Sequence, residues 1–160
     1  MRRVWGLVAI LLCCFSVVSC DRAKPDRKNQ ILLPFTATIE GTRGEMPFAA
    51  EISASATARA ICYTAPEVLS GLTVTETSAG ISIRQGAFQA ENQPDGSGFL
   101  TPLDLLLSPA ALSAVEENNG EKTLTYADGT KLILSADGTP RALIGIDLFY
   151  TVSNFSPGEK

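Results

Sequence analysis

From Phe35 onward most of the chain places apolar and polar residues alternately, in short runs closed by glycine-containing turns, and this pattern limits the fold more than any other feature. A repeat of two is the spacing of side chains on one side of a β-strand, whereas an amphipathic helix repeats at 3.6. Phe35, Ala37 and Ile39 alternate with Thr36, Thr38 and Glu40; Gly41-Thr42-Arg43-Gly44 supplies a turn; Phe48, Ala50 and Ile52 then alternate with Ala49, Glu51 and Ser53. The pattern predicts a hairpin with one apolar face. Arg59–Tyr63 predicts another strand, with Cys62 on the face of Ala58 and Ala60 as a small buried hydrophobe. Pro66 and Ser70-Gly71 mark a loop, and Leu72–Thr75 and Ile81–Arg84 form a second hairpin about Ser78-Ala79-Gly80. From Asn92 to Gly98 the breakers are too dense for regular structure, which predicts a loop.

Two features interrupt this pattern. Thr101-Pro102-Leu103-Asp104 offers an N-cap, a proline at the first helical position and an acid in the first turn, and Ser108-Pro109 repeats the signal. The expectation is a short bent helical insertion, its second arm running from Ala110 to about Asn118 and stopping at Asn118-Asn119-Gly120. The other feature is a duplicated Ala-Asp-Gly-Thr, at 127–130 and 136–139. Asp-Gly suits a tight hairpin turn with glycine at positive φ, so the repeat reads as turn chemistry joining strands Thr123–Tyr126, Lys131–Ser135 and Arg141–Asn154 in a meander. Ile144, Ile146, Leu148, Tyr150 and Val152 would share one face of that last strand. Its other face is also partly apolar, which predicts a central position.

The N-terminus carries a different kind of signal. Arg2 and Arg3 precede an apolar run from Val4 to Val18, too short to span a bilayer, which ends at Val17-Val18-Ser19-Cys20. These four residues resemble the lipobox of bacterial lipoproteins. The resemblance implies a signal peptide over residues 1–19, thioether attachment of diacylglycerol to Cys20, cleavage before it, and a palmitate-type acylation of the new amino group. Residues 20–30 would form the lipidated cysteine and a polar tether, and residues 31–160 a single β-rich domain. Asp21 after the cysteine resembles an inner-membrane retention signal, which places the protein on the extracytoplasmic face of the cytoplasmic membrane. Acyl chains on Cys20 make the membrane the first expected partner.

Loss of residues 1–19 removes two arginines and no acid, leaving 11 basic against 17 acidic groups, net −6. A chain of that charge does not favour nucleic acid. Of four cysteines, Cys13 and Cys14 leave with the leader and Cys20 takes lipid, so Cys62 has no partner for a bridge. The chain contains no histidine. Serine–histidine and cysteine–histidine catalysis and histidine zinc sites are therefore excluded, and no Gly-rich loop joins a strand to a helix to hold phosphate. No enzyme activity, metal or cofactor is expected.

Strands, a helical insertion rich in leucine, then a closing meander whose Asp-Gly-Thr-Pro-Arg leads into a long last strand ending Ser-Asn-Phe resemble the LolA-like and LppX-like half-barrel proteins. The resemblance covers most of residues 34–155 and is one of pattern. It implies a mainly β (α+β) fold, a curved antiparallel sheet whose concave face is crossed by the helical insertion, and an ability to bind or carry a lipid or other hydrophobic ligand. The small residues from Ala49 to Ala60 could leave room beneath the helix. The expected lining is Phe35, Ile39, Phe48, Ile52, Leu105, Leu106, Ile146 and Leu148. The alternative is a structural or interaction lipoprotein whose own leucines fill that space and which binds another cell-envelope protein, by strand addition at an open sheet edge for example.

Overall fold

The computed structural model describes residues 31–93, 98–107 and 109–158. The expected leader, lipidated cysteine and tether lie outside the described residues. Eleven strands follow one another: β1 (Phe35–Arg43), β2 (Met46–Ala54), β3 (Ala58–Ala65), β4 (Thr73–Thr77), β5 (Gly80–Gln85), β6 (Phe88–Gln93), β7 (Leu112–Asn118), β8 (Glu121–Tyr126), β9 (Lys131–Ser135), β10 (Pro140–Ile144) and β11 (Leu148–Pro157). Among the described residues one α-helix, α1 (Thr101–Leu107), lies between β6 and β7 in the chain, and one 3-10 turn, Glu67–Leu69, between β3 and β4.

All eleven strands form one open sheet, in the order β6-β5-β4-β3-β2-β1-β11-β10-β9-β8-β7. Every pairing is antiparallel. Each strand therefore lies beside its neighbour in sequence, with two exceptions. β6 and β7 form the two edges, and β1 meets β11 at the centre. The sheet is curved, with the expected half-barrel architecture.

The period-two pattern sets the two faces. In β1, Phe35, Ala37 and Ile39 are buried; in β2, Phe48, Ala50, Ile52 and Ala54; in β11, Leu148, Tyr150 and Val152. The register places these opposite one another, Ile39 with Ala50 and with Val152, so the buried side chains share the concave face. Leu143, Leu132 and Leu124 continue that row across β10, β9 and β8, and Ile61 and Val74 across β3 and β4. Gly41 stands where β1 presses against β11. A Cβ there would overlap the Phe149 carbonyl oxygen, which only glycine avoids. The two Ala-Asp-Gly-Thr turns behave alike: Thr130 N–H donates to Asp128 Oδ1 and Thr139 N–H to Asp137 Oδ1, each at 3.0 Å, and Gly129 and Gly138 both have φ of 84°.

Three expectations change. The segment from Ala110 to Asn118 is not the second arm of a bent helix; Leu112–Asn118 is the edge strand β7, paired with β8. Ser113, Val115 and the turn residues Asn119 and Gly120 suit a hairpin as well as a helix end, and β8 offers a ladder that a lone helix would lack. The long last strand is broken after Ile144: Gly145 N–H donates to the Leu148 carbonyl at 2.6 Å, turning the chain so that Ile144 pairs with Phe149. β11 is central, as its two partly apolar faces suggest. The stretch after Gly86 yields one more strand, β6, which reaches into the expected loop at Asn92 and Gln93; residues 94–97 lie outside the described part.

Every described element and the whole described core fall between Ile31 and Gly158. Gly158 N–H donates to the Pro34 carbonyl at 2.8 Å, so the start of β1 and the end of β11 leave the sheet side by side.

Candidate hydrophobic site on the concave face

Seven residues of helix cross a sheet of eleven strands, and they cover its middle. Leu103 and Leu106 of α1 and Leu100 just before it are buried against the sheet, in one cluster with Phe35, Ile39, Phe48, Ile52, Leu148 and Tyr150. Burying leucine side chains against an apolar sheet is the main force holding the segment, at about 1.5–3 kcal/mol each.

Polar side chains rising from the sheet fix the orientation. Tyr150 Oη donates to the Pro102 carbonyl and Tyr63 Oη to the Phe99 carbonyl, both at 2.8 Å; Arg43 Nη1 donates to the Gly98 carbonyl at 3.0 Å. These bonds tie the chain entering α1, and its first turn, to the sheet. Arg59, on the apolar side of β3, bridges sheet and helix: Nη1 lies 2.6 Å from Asp104 Oδ1, and Nη2 2.5 Å from Glu76 Oε2. Burial raises the Tyr63 phenol to about 12, offset in part by the Arg43 charge, and drives Tyr150 further up. Both phenols stay protonated as donors at any ordinary pH.

The expected lining residues divide in three. Phe35, Ile39, Phe48, Ile52, Leu106 and Leu148 come together in the buried cluster. Leu105 is only partly buried, with Cδ1 near Gly145. Ile146 does not join them: the break after Ile144 puts it at a turn tip, 92% exposed. The small-residue stretch is likewise split, since Ala50 and Ala54 face the core while Ala49, Ala58 and Ala60 face the other way. Cys62 is also on that other side, half-buried, with Thr73 Oγ1 at 3.5 Å.

Because the protein's own leucines occupy the centre, the apolar concave surface left uncovered lies on the two wings. On one wing, Val74 and Ile83 are opposite each other, Ile83 pairs with Ala90, and Phe88 at the edge is 61% exposed. On the other, Leu112 pairs with Tyr126 and Val115 with Leu124, and both β7 side chains are 43% exposed. The sequence conceals these wing residues. Phe88 sits among glutamines and a glutamate with no clean alternation, and Leu112 and Val115 carry a spacing that helix and strand share. Arg59 was legible in principle as a charge in phase with Ile61 and Tyr63. Among the described residues no group of three or more His, Cys, Asp or Glu gathers to hold a metal ion.

No known family's sequence profile matches the chain, and no curated protein matches it. Among solved structures it is similar to an uncharacterized conserved protein from Thermus thermophilus, with 18% identity, 79% of this chain and 80% of that one covered, and a TM-score of 0.50. A LolA superfamily protein from Nitrosomonas europaea aligns with 7% identity over 83% of this chain and 90% of that one, at a TM-score of 0.39. The likeness to the Thermus protein is one of fold.

Proposed function

We propose that this chain is an exported lipoprotein, anchored through Cys20, whose half-barrel binds a lipid or other hydrophobic ligand on the extracytoplasmic side of the membrane. The observation that carries the reading is the apolar concave surface that continues beyond α1 to both edges, at Ile81, Ile83 and Phe88 and at Leu112 and Val115. Concave apolar surface beside a covering element is the usual setting of a hydrophobic ligand site. Each wing offers only a few apolar side chains, so the ligand class that fits is an acyl chain or a small apolar molecule rather than a large multi-chain lipid. Lipid attachment supplies the membrane partner and needs two or more chains for stable anchoring.

Native mass spectrometry with lipid extraction tests the ligand. A chain starting at Asp21, purified without detergent, is expected to carry lipid, and Phe88→Ser or Val115→Ser to reduce its occupancy. A clean apo mass with no thermal stabilisation by added lipid would sink the carrier reading. Lipid attachment has its own test, because Cys20→Ala should no longer partition into detergent.

A second reading has one observation in its favour: Leu100, Leu103 and Leu106 already fill the centre of the concave face. On that reading the domain is an interaction module, and its free edges β6 and β7 receive a strand from another envelope protein.

A further inference from the structure

The end of the sheet farthest from the chain's exit has an unusual composition. There the β1–β2 turn and the β10–β11 turn are joined by the Gly44 N–H, which donates to the Asp147 carbonyl at 2.6 Å. Around this joint Met46, Ile144, Ile146 and Phe149 are all exposed, with Ile144 and Phe149 paired across the ladder. Turn tips are ordinarily polar, since Gly, Asn, Asp and Ser make their bends. Nothing in the fold requires an isoleucine at position 146. Its side chain adds no burial to the core, and its neighbours Gly145 and Asp147 supply the turn's hydrogen bonds.

We infer that this apolar tip, Met46, Ile144, Ile146 and Phe149, docks on the surface of an uncharged phospholipid bilayer. Ile146 in the turn, Met46 on the concave phase of β2 and Ile144 and Phe149 on the opposite face ring the tip and are few beside the 20–30 residues a side of a stable protein interface, so a second copy or a tight protein partner is poorly matched. A bilayer interface takes in single bulky apolar side chains without needing a complementary shape. The local charge selects the lipid: Glu45, Asp147 and Asp128 of the neighbouring β8–β9 turn outnumber Arg43 and Lys131, the last paired with Ile144, so the tip has no net pull toward an anionic surface. The direction of approach follows from the chain ends. β1 has nine residues, about 30 Å at ~3.3 Å each, and the tether leaves from its far end beside Gly158. The tip is thus the end of the domain away from the tether's attachment; its placement relative to a membrane rests on the proposed anchor, while the contact itself does not.

Co-sedimentation with vesicles of pure phosphatidylcholine tests the contact. The protein used is the chain from residue 20 with Cys20→Ser, exported on an ordinary cleaved signal so that its own acyl chains cannot carry it to the vesicles. The wild-type tip should bind, equally well in low and high salt. Met46→Ser combined with Ile146→Ser should lower the partition coefficient at least about tenfold while leaving the thermal midpoint in place, because both residues are exposed. Leu32→Ser, 72% exposed at the opposite end of the sheet and outside both wings, should leave vesicle binding unchanged, and the ligand reading is judged by co-purified lipid alone, which separates this contact from failure of that reading. The inference is overturned if the wild type does not sediment with the vesicles, if the double variant binds as well as wild type, or if binding requires anionic lipid and disappears in salt. It is also overturned if the tip instead drives a concentration-dependent dimer that the double variant abolishes.

Discussion

The centre and the margin of this sheet are built on opposite terms. β1, β2 and β11 bury alternate residues where the helix covers them, at Phe35, Ala37 and Ile39, at Phe48, Ala50, Ile52 and Ala54, and at Leu148, Tyr150 and Val152, whereas all seven residues of β7 are exposed. At the centre, a helix covers one face, so a shift of register by one residue would turn Phe35, Ile39, Ile52 and Tyr150 out to water and polar residues into the core. At the margin no face is covered, and β7 is held by its ladder with β8 and by side chains such as Val115 against Leu124. Alternation thus encodes a strand only where something covers it.

That comparison can be broken, beginning where it predicts most. Leu103→Ala, beneath the centre of the lid, should destabilise the fold by about 2–5 kcal/mol in urea unfolding, through lost burial and the space left behind. A loss near zero would mean that the helix covers the sheet without closing it. Gly41→Ala should cost roughly 1–3 kcal/mol or more in the same experiment, because its new methyl group meets backbone, which cannot rotate away.

Tyr150→Phe should cost about 0.5–1.5 kcal/mol by removing the buried hydrogen bond that ties the Pro102 carbonyl to the sheet. It should also change the response to alkali. Burial holds the phenols of Tyr150 and Tyr63 above the ordinary value of 10.0, Tyr63 at about 12, so in rising pH the unfolded chain gives up its phenolic protons first. Stability is then intact below pH 10 and falls as pH rises from there through 12. A pH series of thermal midpoints should show that fall in wild type and a shallower one in Tyr150→Phe. At the margin, Val115→Thr should move stability by no more than about 0.5 kcal/mol. A larger loss would show that β7 is covered after all, by a ligand or a partner.

How much the sequence disclosed follows the same division. The β1–β2 hairpin, the β4–β5 hairpin, both Asp-Gly turns and the central place of β11 were legible because burial or turn geometry demands particular residues there. Ala110–Asn118 was misread because Ser108-Pro109 is a good local helix start, while the ladder offered by β8 is a tertiary fact. The run from Arg141 to Asn154 read as continuous because Gly145 is the only sign of a break, and glycine also occurs inside strands. Of the site, the central lining residues were visible as one phase of the alternation. The wings were hidden because half-exposed positions tolerate Gln, Glu and Leu alike, and Ile146 was assigned to the wrong surface once the break was missed. Tyr63 and Tyr150 stood out only as apolar positions; that their hydroxyls reach carbonyls of the lid depends on a crossing that no local pattern records.

The pairing of β1 with β11 has a consequence in time. A chain that emerges N-terminus first offers β1 before β11, with β2 as its only neighbour, and the other side of β1 stays unpaired until β11 appears. The nine-residue strand at the heart of the finished sheet is an open edge for almost the whole of synthesis or transport. Contacts between strands this far apart in sequence are also slow to form. Folding of this domain is therefore completed only once β11 has been made. A C-terminal truncation that removes β11 should expose β1 to chaperones and proteases rather than leave a smaller, stable sheet.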